Sequence, residues 1–173
     1  MMAENKMREI KIEKVSLNIG CGDDHQKIER AKKLLELLTN RKAIVTLSKR
    51  RSTFGVPKGK PLGVKVTLRK KPAEEILRTV LQAVENKLRM SQFDKDGNLN
   101  IGIKEYIDLP GVKYVYDIGV LGFGVAAVFE RPGFRIKRRK IQKRIIPQEH
   151  KLNKEEVAKW LKEKFGVQII EGS

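Results

Sequence analysis

A single cysteine, Cys21, occurs in the whole sequence, which excludes an internal disulfide and any zinc site built on a cysteine cluster. Histidine is nearly as scarce. His25 and His150 have no cysteine or carboxylate cluster at ligand spacing, and no base stands beside Cys21, so metal-assisted and thiolate chemistry both lack their parts. Long apolar runs are missing too: nothing approaches the roughly 20 residues of a membrane span. The opening MMAENKMREIKIEK has no apolar centre of the kind a signal peptide needs, and a cytoplasmic location is expected.

Acidic residues are absent from the places that matter most. The chain carries 38 Lys and Arg against 21 Asp and Glu, a formal net charge of +17 and a pI near 10.1. Two stretches hold no acid at all, Leu37 to Ala73 and Arg131 to Gln148. Arg41 to Lys71 supplies eleven basic residues and the second stretch eight, so 19 of the 38 lie there. The other 19 meet all 21 acids, and the excess charge therefore resides in these two segments. Charge segregated in this way points to a polyanionic partner. A 40% hydrophobic content excludes global disorder, and 173 residues suffice for a domain with a core plus an extension.

Residues 1–9 read as a polar tail. Ile10 to Gly20 then alternates, with Val15, Leu17 and Ile19 on one side and Lys14, Ser16 and Asn18 on the other, which predicts a strand. Gly20-Cys21-Gly22-Asp23-Asp24 is a turn in which either aspartate is placed to cap a helix. That helix, His25 to Leu38, carries Ile28, Ala31, Leu34, Leu35 and Leu38 at helical spacing and stops at Thr39-Asn40. Ala43 to Ser48 is short and β-rich, Lys49 to Pro61 is an exposed basic loop, and Leu62 to Arg69 is a second alternating strand showing Lys65, Thr67 and Arg69 to solvent.

Lys71-Pro72-Ala73-Glu74-Glu75 starts another helix, since Pro suits the first helical position and the glutamates the positive end of the dipole. Its apolar stripe, Ile76, Leu77, Val80, Leu81, Val84 and Leu88, runs to about Arg89. Phe93 to Asn98 is turn chemistry before an alternating strand at Leu99, Ile101 and Ile103, with Asn100, Gly102 and Lys104 opposite. Val112 to Ile118 reads equally as loop or short strand, and Gly119 to Phe129 as a glycine-softened strand. Phe134 to Pro147 is too basic to fold alone and predicts a partly extended arm that orders on binding. Asn153 to Phe165 is a last helix, capped by Asn153, with Val157, Trp160, Leu161 and Phe165 on one side. The pattern is α+β: a mainly antiparallel sheet with two helices on one face, then the basic arm and a C-terminal helix. It divides into an α+β domain over 1–133, the arm over 134–152 and a helical extension over 153–173.

Chemical motifs fare badly on context. Gly20-x-Gly22 between strand and helix lacks the third glycine of a dinucleotide fingerprint and any Gly-Lys-Ser/Thr. Asp94-x-Asp96-Gly97 has its glycine two positions early for a calcium loop and no glutamate at the twelfth position. No set of nucleophile, base and oxyanion donors can be assembled, and the reading is of a protein that is not an enzyme and uses no cofactor, metal or small-molecule substrate. The polar face of Lys14, Ser16, Asn18, Lys65, Thr67, Arg69, Asn100 and Lys104 has no aromatic residue. That disfavours a stacking platform for single strands and favours structured RNA read by shape and backbone.

Four motifs in order and spacing resemble the ribosomal protein L-five family. They are Val15-Ser16-Leu17-Asn18-Ile19-Gly20-Cys21-Gly22, the run Lys49 to Arg69, Asn100-Ile101-Gly102-Ile103-Lys104-Glu105, and Gly119 to Gly133 closing on Glu130-Arg131-Pro132-Gly133. The Arg-Pro-Gly ending and the basic extension are similar to the archaeal and eukaryotic branch, where the eukaryotic counterpart is L-eleven. The resemblance implies a cytoplasmic ribosomal protein of the central protuberance, binding 5S rRNA and adjacent large-subunit rRNA, approaching P-site tRNA and bridging to the small-subunit protein S-thirteen. Carried onto this sequence it implies rRNA contacts at Asn18, Thr46, Lys49, Arg50, Thr53, Lys65, Thr67 and Arg69, with the basic arm adding Arg135, Lys137, Arg138 and Arg139. The loop residues Ser52, Thr53, Phe54, Gly55, Lys58, Gly59 and Lys60 are the tRNA-proximal set, although Val56-Pro57 departs from the basic residues usual there. Asp108 to Tyr116 is the region assigned to the bridge. The alternatives are a free-standing structured-RNA binder or chaperone and, from another class, an RNA-modifying enzyme.

Overall fold

Strict alternation makes the first strand. In β1 (Lys11–Gly20) the side chains of Val15, Leu17 and Ile19 are buried while Asn18 is exposed, the period-2 signature of a sheet with one covered face. The computed structural model describes residues 5–53 and 55–170, and the order of elements follows the sequence reading closely. After β1 come α1 (His25–Thr39), β2 (Ile44–Leu47), β3 (Pro61–Leu68), α2 (Lys71–Ala83) and β4 (Lys87–Arg89). Then follow β5 (Leu99–Ile103), β6 (Phe123–Glu130), the short α3 (Arg135–Arg138), α4 (Lys154–Phe165) and β7 (Gln168–Ile170). A five-stranded sheet has the order β2-β3-β1-β6-β5, and β4 pairs with β7 in a separate parallel ribbon. The fold is α+β, with β1–β3 and β2–β3 antiparallel.

By internal contacts the chain forms two compact units, residues 15–68 with 101–126, and residues 1–14 with 69–100 and 127–173. In the first, α1 packs on β3 and β2 through Ile28, Ala31, Leu34 and Leu35, all buried. Asp24 caps this helix by accepting from the backbone N–H of Gln26 at 2.9 Å and of Lys27 at 3.2 Å, and Asn40 closes it in a left-handed conformation. Asp23, the other aspartate of the turn, instead pairs with Lys60.

In the second unit, α2 buries Ala73, Ile76, Leu77, Val80 and Leu81, and α4 buries Val157, Ala158 and Leu161. Trp160 meets Phe129 edge-on at 5.6 Å between centroids and Phe165 at 5.9 Å. The predicted run of α2 to about Arg89 is too long. The helix ends at Ala83, because Glu85 and Asn86 both take positive φ, 54° and 55°, and Leu88 is buried from the strand β4 instead. An apolar residue at helical spacing does not distinguish the last helical turn from a strand that enters the same core.

Smaller differences have similar causes. The tail is tied by a 3-10 turn over Lys6–Arg8, capped by Asn5. Residues 112–118 form no strand, and β6 begins at Phe123 rather than Gly119. Asn153 sits at the N-cap of α4, but its side chain makes no capping bond. The turn at 94–98 is closed by Asp94 N–H donating to Asn98 O at 2.8 Å and Gly97 N–H to Asp94 O at 2.9 Å.

Candidate nucleic-acid interface

The register of the sheet brings the polar positions of the first unit into rows. Asn18 lies opposite Lys65, which lies opposite Ile44 on its other side, so three adjacent strands form one cross-strand row. Ser16 faces Thr67 in the next row, and Gly20, Gly63 and Thr46 make the third. Asn18, Lys65, Thr67 and Ile44 are exposed. Their partners on the other face, Leu17, Ile19, Val64, Val66 and Leu68, are buried. The sheet face thus presents an amide, hydroxyls and one ammonium, with no carboxylate among them.

The loop between β2 and β3 continues the ladder. Ser48 N–H donates to Lys60 O at 2.8 Å and Gly59 N–H returns to Ser48 O at 2.9 Å. Nearer the tip Ser52 N–H donates to Val56 O at 2.9 Å, and Gly55 and Gly59 occupy the left-handed region with φ of 80° and 87°, where glycine is the natural residue. Phe54 lies outside the described residues. Lys60 is drawn to Asp23, but Lys49, Arg50, Arg51 and Lys58 enter no ion pair among the described residues. These cations are exposed.

The second unit carries the basic arm. Arg138 is clamped between two carboxylates, Glu13 and Glu130, each at 2.7 Å. Glu13 is only 8% exposed at its side chain, so this fork is a strong local anchor. Arg139 donates from Nε to the backbone oxygen of Gln142 at 2.7 Å, closing a turn. Arg135 and Lys137 are exposed and enter no ion pair among the described residues. Behind the arm, Phe134, Lys137, Lys143, Arg144, Ile146 and Lys151 help line a cleft of about 780 Å³. The arm takes one helical turn, α3, and is otherwise irregular.

Residues 5–56 match the family described as "Ribosomal protein L5", and residues 61–160 match the C-terminal part of the same ribosomal family. The chain belongs to the ribosomal protein L5 family. Among similar proteins, the "Large ribosomal subunit protein uL5" of Sulfurisphaera tokodaii is 46% identical over 170 residues, covering 97% of this chain and 96% of that protein. The protein of the same name from Methanosphaera stadtmanae is 44% identical over 166 residues, covering 95% and 99%. That of Picrophilus torridus is 46% identical over 169 residues, covering 96% of each. The L5 family is one of ribosomal proteins and not of enzymes, and no helix among the described residues is long and apolar enough to cross a membrane.

Within this L5 chain the expected site residues fall in two places. Asn18, Thr46, Lys65 and Thr67 share the sheet face, and Lys49, Arg50, Ser52, Thr53, Gly55, Lys58, Gly59 and Lys60 form the hairpin that extends it. Arg69 is exposed directly after β3, but it clusters with the other unit, as do Arg135, Lys137, Arg138 and Arg139. Ser16, Ile44 and Arg51 join the face and hairpin without being among the expected contacts. Ser16 follows from alternation alone, whereas Ile44 is apolar and only the β2–β3 register puts it beside Lys65. Cys21 is buried, its thiol pushed above its ordinary value by desolvation against the pull of Lys27. Its Sγ lies 3.7 Å from Lys27 O and 3.9 Å from Ile19 O, a structural place and not a reactive one.

Proposed function

We propose that this chain is a structural component of the large ribosomal subunit whose sheet face and β2–β3 hairpin bind 5S rRNA, with adjacent large-subunit rRNA met by the basic arm. The row Ile44–Lys65–Asn18 beside an acid-free hairpin carries the reading. Lysine and arginine neutralise phosphates and release counterions, while Asn18, Ser16 and Thr67 offer amide and hydroxyl partners for 2′-hydroxyls. In this reading Arg138 anchors the arm, and Arg135 and Lys137 meet phosphate. The tip of the hairpin, from Ser52 to Lys60, approaches P-site tRNA. The segment Asp108 to Tyr116 faces the small-subunit protein S-thirteen; Tyr116 there is 88% exposed, and Val115 N–H donates to the buried Tyr106 hydroxyl at 2.9 Å. The protein works in the cytoplasm, on the ribosome. Functionally, residues 1–133 form the RNA-binding domain, 134–152 the arm and 153–173 the extension.

The test is a competition assay over a range of salt with 5S rRNA, tRNA and a generic hairpin of equal length. Preference for 5S rRNA by about a thousandfold, the lower end for specific nucleic-acid recognition, is the expected result. Equal affinity for all three with one common salt slope would leave only a polyanion grip, the behaviour of an RNA chaperone.

A further inference from the structure

Glycine inside a strand carries a cost, because it orders a freer backbone and contributes no side chain to packing. Two glycines in and beside the strands of the first unit are required from within. A Cβ on Gly63 would lie 2.4 Å from Ile19 O, and one on Gly122 would lie 2.5 Å from Lys104 O. Gly22, Gly55, Gly59, Gly111 and Gly119 have positive φ. Gly20, Gly102 and Gly124 meet neither condition. A Cβ on Gly20 or Gly102 would have no heavy atom within 4 Å, and one on Gly124 only Asn18 O at 3.8 Å, an ordinary contact. Nothing inside the protein asks for glycine at these positions.

They share an address. Gly20 is on β1, Gly124 on β6 and Gly102 on β5, three neighbouring strands, and all three are exposed. Gly102 alternates with buried Ile101 and Ile103, and Gly124 with buried Phe123 and Val125. Gly124 adjoins Asn18, which faces Lys65. A partner that must touch the strand backbone itself would account for all three at once.

We propose that Gly20, Gly102 and Gly124 form a bare patch on which the sugar-phosphate backbone of structured RNA seats directly against the sheet. The inference rests on the RNA-binding reading above and deepens it, dividing the face by task. The side with Lys65 and the hairpin supplies charge, and the glycine side supplies fit. A Cβ at any of the three would stand about 1.5 Å proud of the backbone, holding a ribose away from the Asn18 amide and Ser16 hydroxyl that bond best at van der Waals approach. RNA suits the patch better than a protein partner, because the exposed or half-buried side chains sharing its face on β1 and β3 are Ser16, Asn18, Lys65 and Thr67, and exposed Lys104 follows Gly102 by two residues, with no carboxylate among them.

The experiment compares full-length wild type with Gly124→Ala, Gly124→Val, Gly102→Val and Lys65→Ala, by thermal melting and by binding to transcribed 5S rRNA at several salt concentrations. The glycine variants should melt at the wild-type temperature or higher, since alanine and valine suit an exposed strand position better than glycine. Their 5S affinity should fall about tenfold for valine and less for alanine, as when one or two polar contacts are lost. Their salt slope should stay that of wild type. Lys65→Ala should lower the slope by about one. Wild-type affinity in both valine variants, with wild type still preferring 5S rRNA, would overturn the bare patch and leave the RNA-binding reading standing. A wild-type protein that binds 5S rRNA, tRNA and a generic hairpin alike would overturn both.

Discussion

Lys70 takes φ 61° and ψ −140°, a region that side chains avoid and glycine does not. It lies in the two-residue step, Arg69-Lys70, from β3 into α2. Lys70→Gly should therefore raise stability by about 1 kcal/mol, seen as a higher guanidinium midpoint with an unchanged slope. Arg131 presents the opposite case, a buried charge held by few partners. Its side chain is 10% exposed and bonds Glu156 at 2.9 Å and Glu149 O at 3.3 Å, while Nε has no partner. Removing Glu156 would strand that cation. Glu156 is itself 43% exposed and partly screened by solvent, so Glu156→Ala should cost about 1–2 kcal/mol, and Glu156→Gln, which keeps an acceptor, less. Trp160 is the one tryptophan of the chain and lies on α4 one turn after Glu156, so its fluorescence follows the unfolding directly.

At the scale of elements, α2 and α4 are joined through Glu74. Its carboxylate lies 3.1 Å from Lys164 and 3.5 Å from Arg78, and both cations also face aromatic rings, Lys164 over Trp160 at 5.1 Å and Arg78 over Phe165 at 5.5 Å. The hydrogen bond from Lys164 holds the Glu74 carboxyl below its ordinary value, and the charges of Lys164 and Arg78 add to the effect against a desolvation penalty. The folded protein therefore binds this proton less readily than the unfolded chain. The clamp's contribution is complete above the unfolded-state value and is lost as pH falls through the folded-state value. Replacing Glu74 by Gln should flatten the decline in melting temperature between about pH 5 and pH 3. The change should be small, since the side chain is 35% exposed and solvent screens the pair. An equally steep acid decline in the Gln variant would show that other carboxylates govern it.

Legibility in the sequence also divides at this scale. The strands β1 and β3 and the helices α1 and α4 are readable because each has its own period and its own stop: alternation at Val15–Leu17–Ile19, the cap at Asp24, the left-handed Asn40 and Gly166. The ribbon of β4 and β7 is not readable. Each strand is three residues long, and what makes them strands is their parallel pairing across about eighty residues of chain, Leu88 to Ile169, which no local period records. The site shows the same division. Asn18, Lys65 and Thr67 follow from alternation. The neighbours that complete the face, Ile44 and Gly124, depend on register and on what an absent Cβ would have touched. The role of Arg138 is hidden likewise: its run of cations gives no sign that Glu13 and Glu130 will neutralise one of them.

For the whole molecule, both compact units are basic, with formal charges of +7 for residues 15–68 with 101–126 and +10 for the remainder. Charge alone thus gives either unit a weak, sequence-independent grip on RNA, and the salt slope counts which cations are used. A cation already neutralised by carboxylates has no counterion to release. Arg50→Ala, Arg135→Ala and Lys137→Ala should each lower the slope of log affinity for 5S rRNA against log salt by about one and weaken binding by about 1–3 kcal/mol. Arg138→Ala should behave differently. It leaves Glu130 with no cation among the described residues and Glu13 with only Lys14 at 3.8 Å, so it should loosen the arm and lower stability while the slope stays near the wild-type value. A slope lowered by one in Arg138→Ala, with the melting temperature unchanged, would mean that phosphate displaces both glutamates on binding, and Arg138 would then meet RNA itself instead of holding the arm in place.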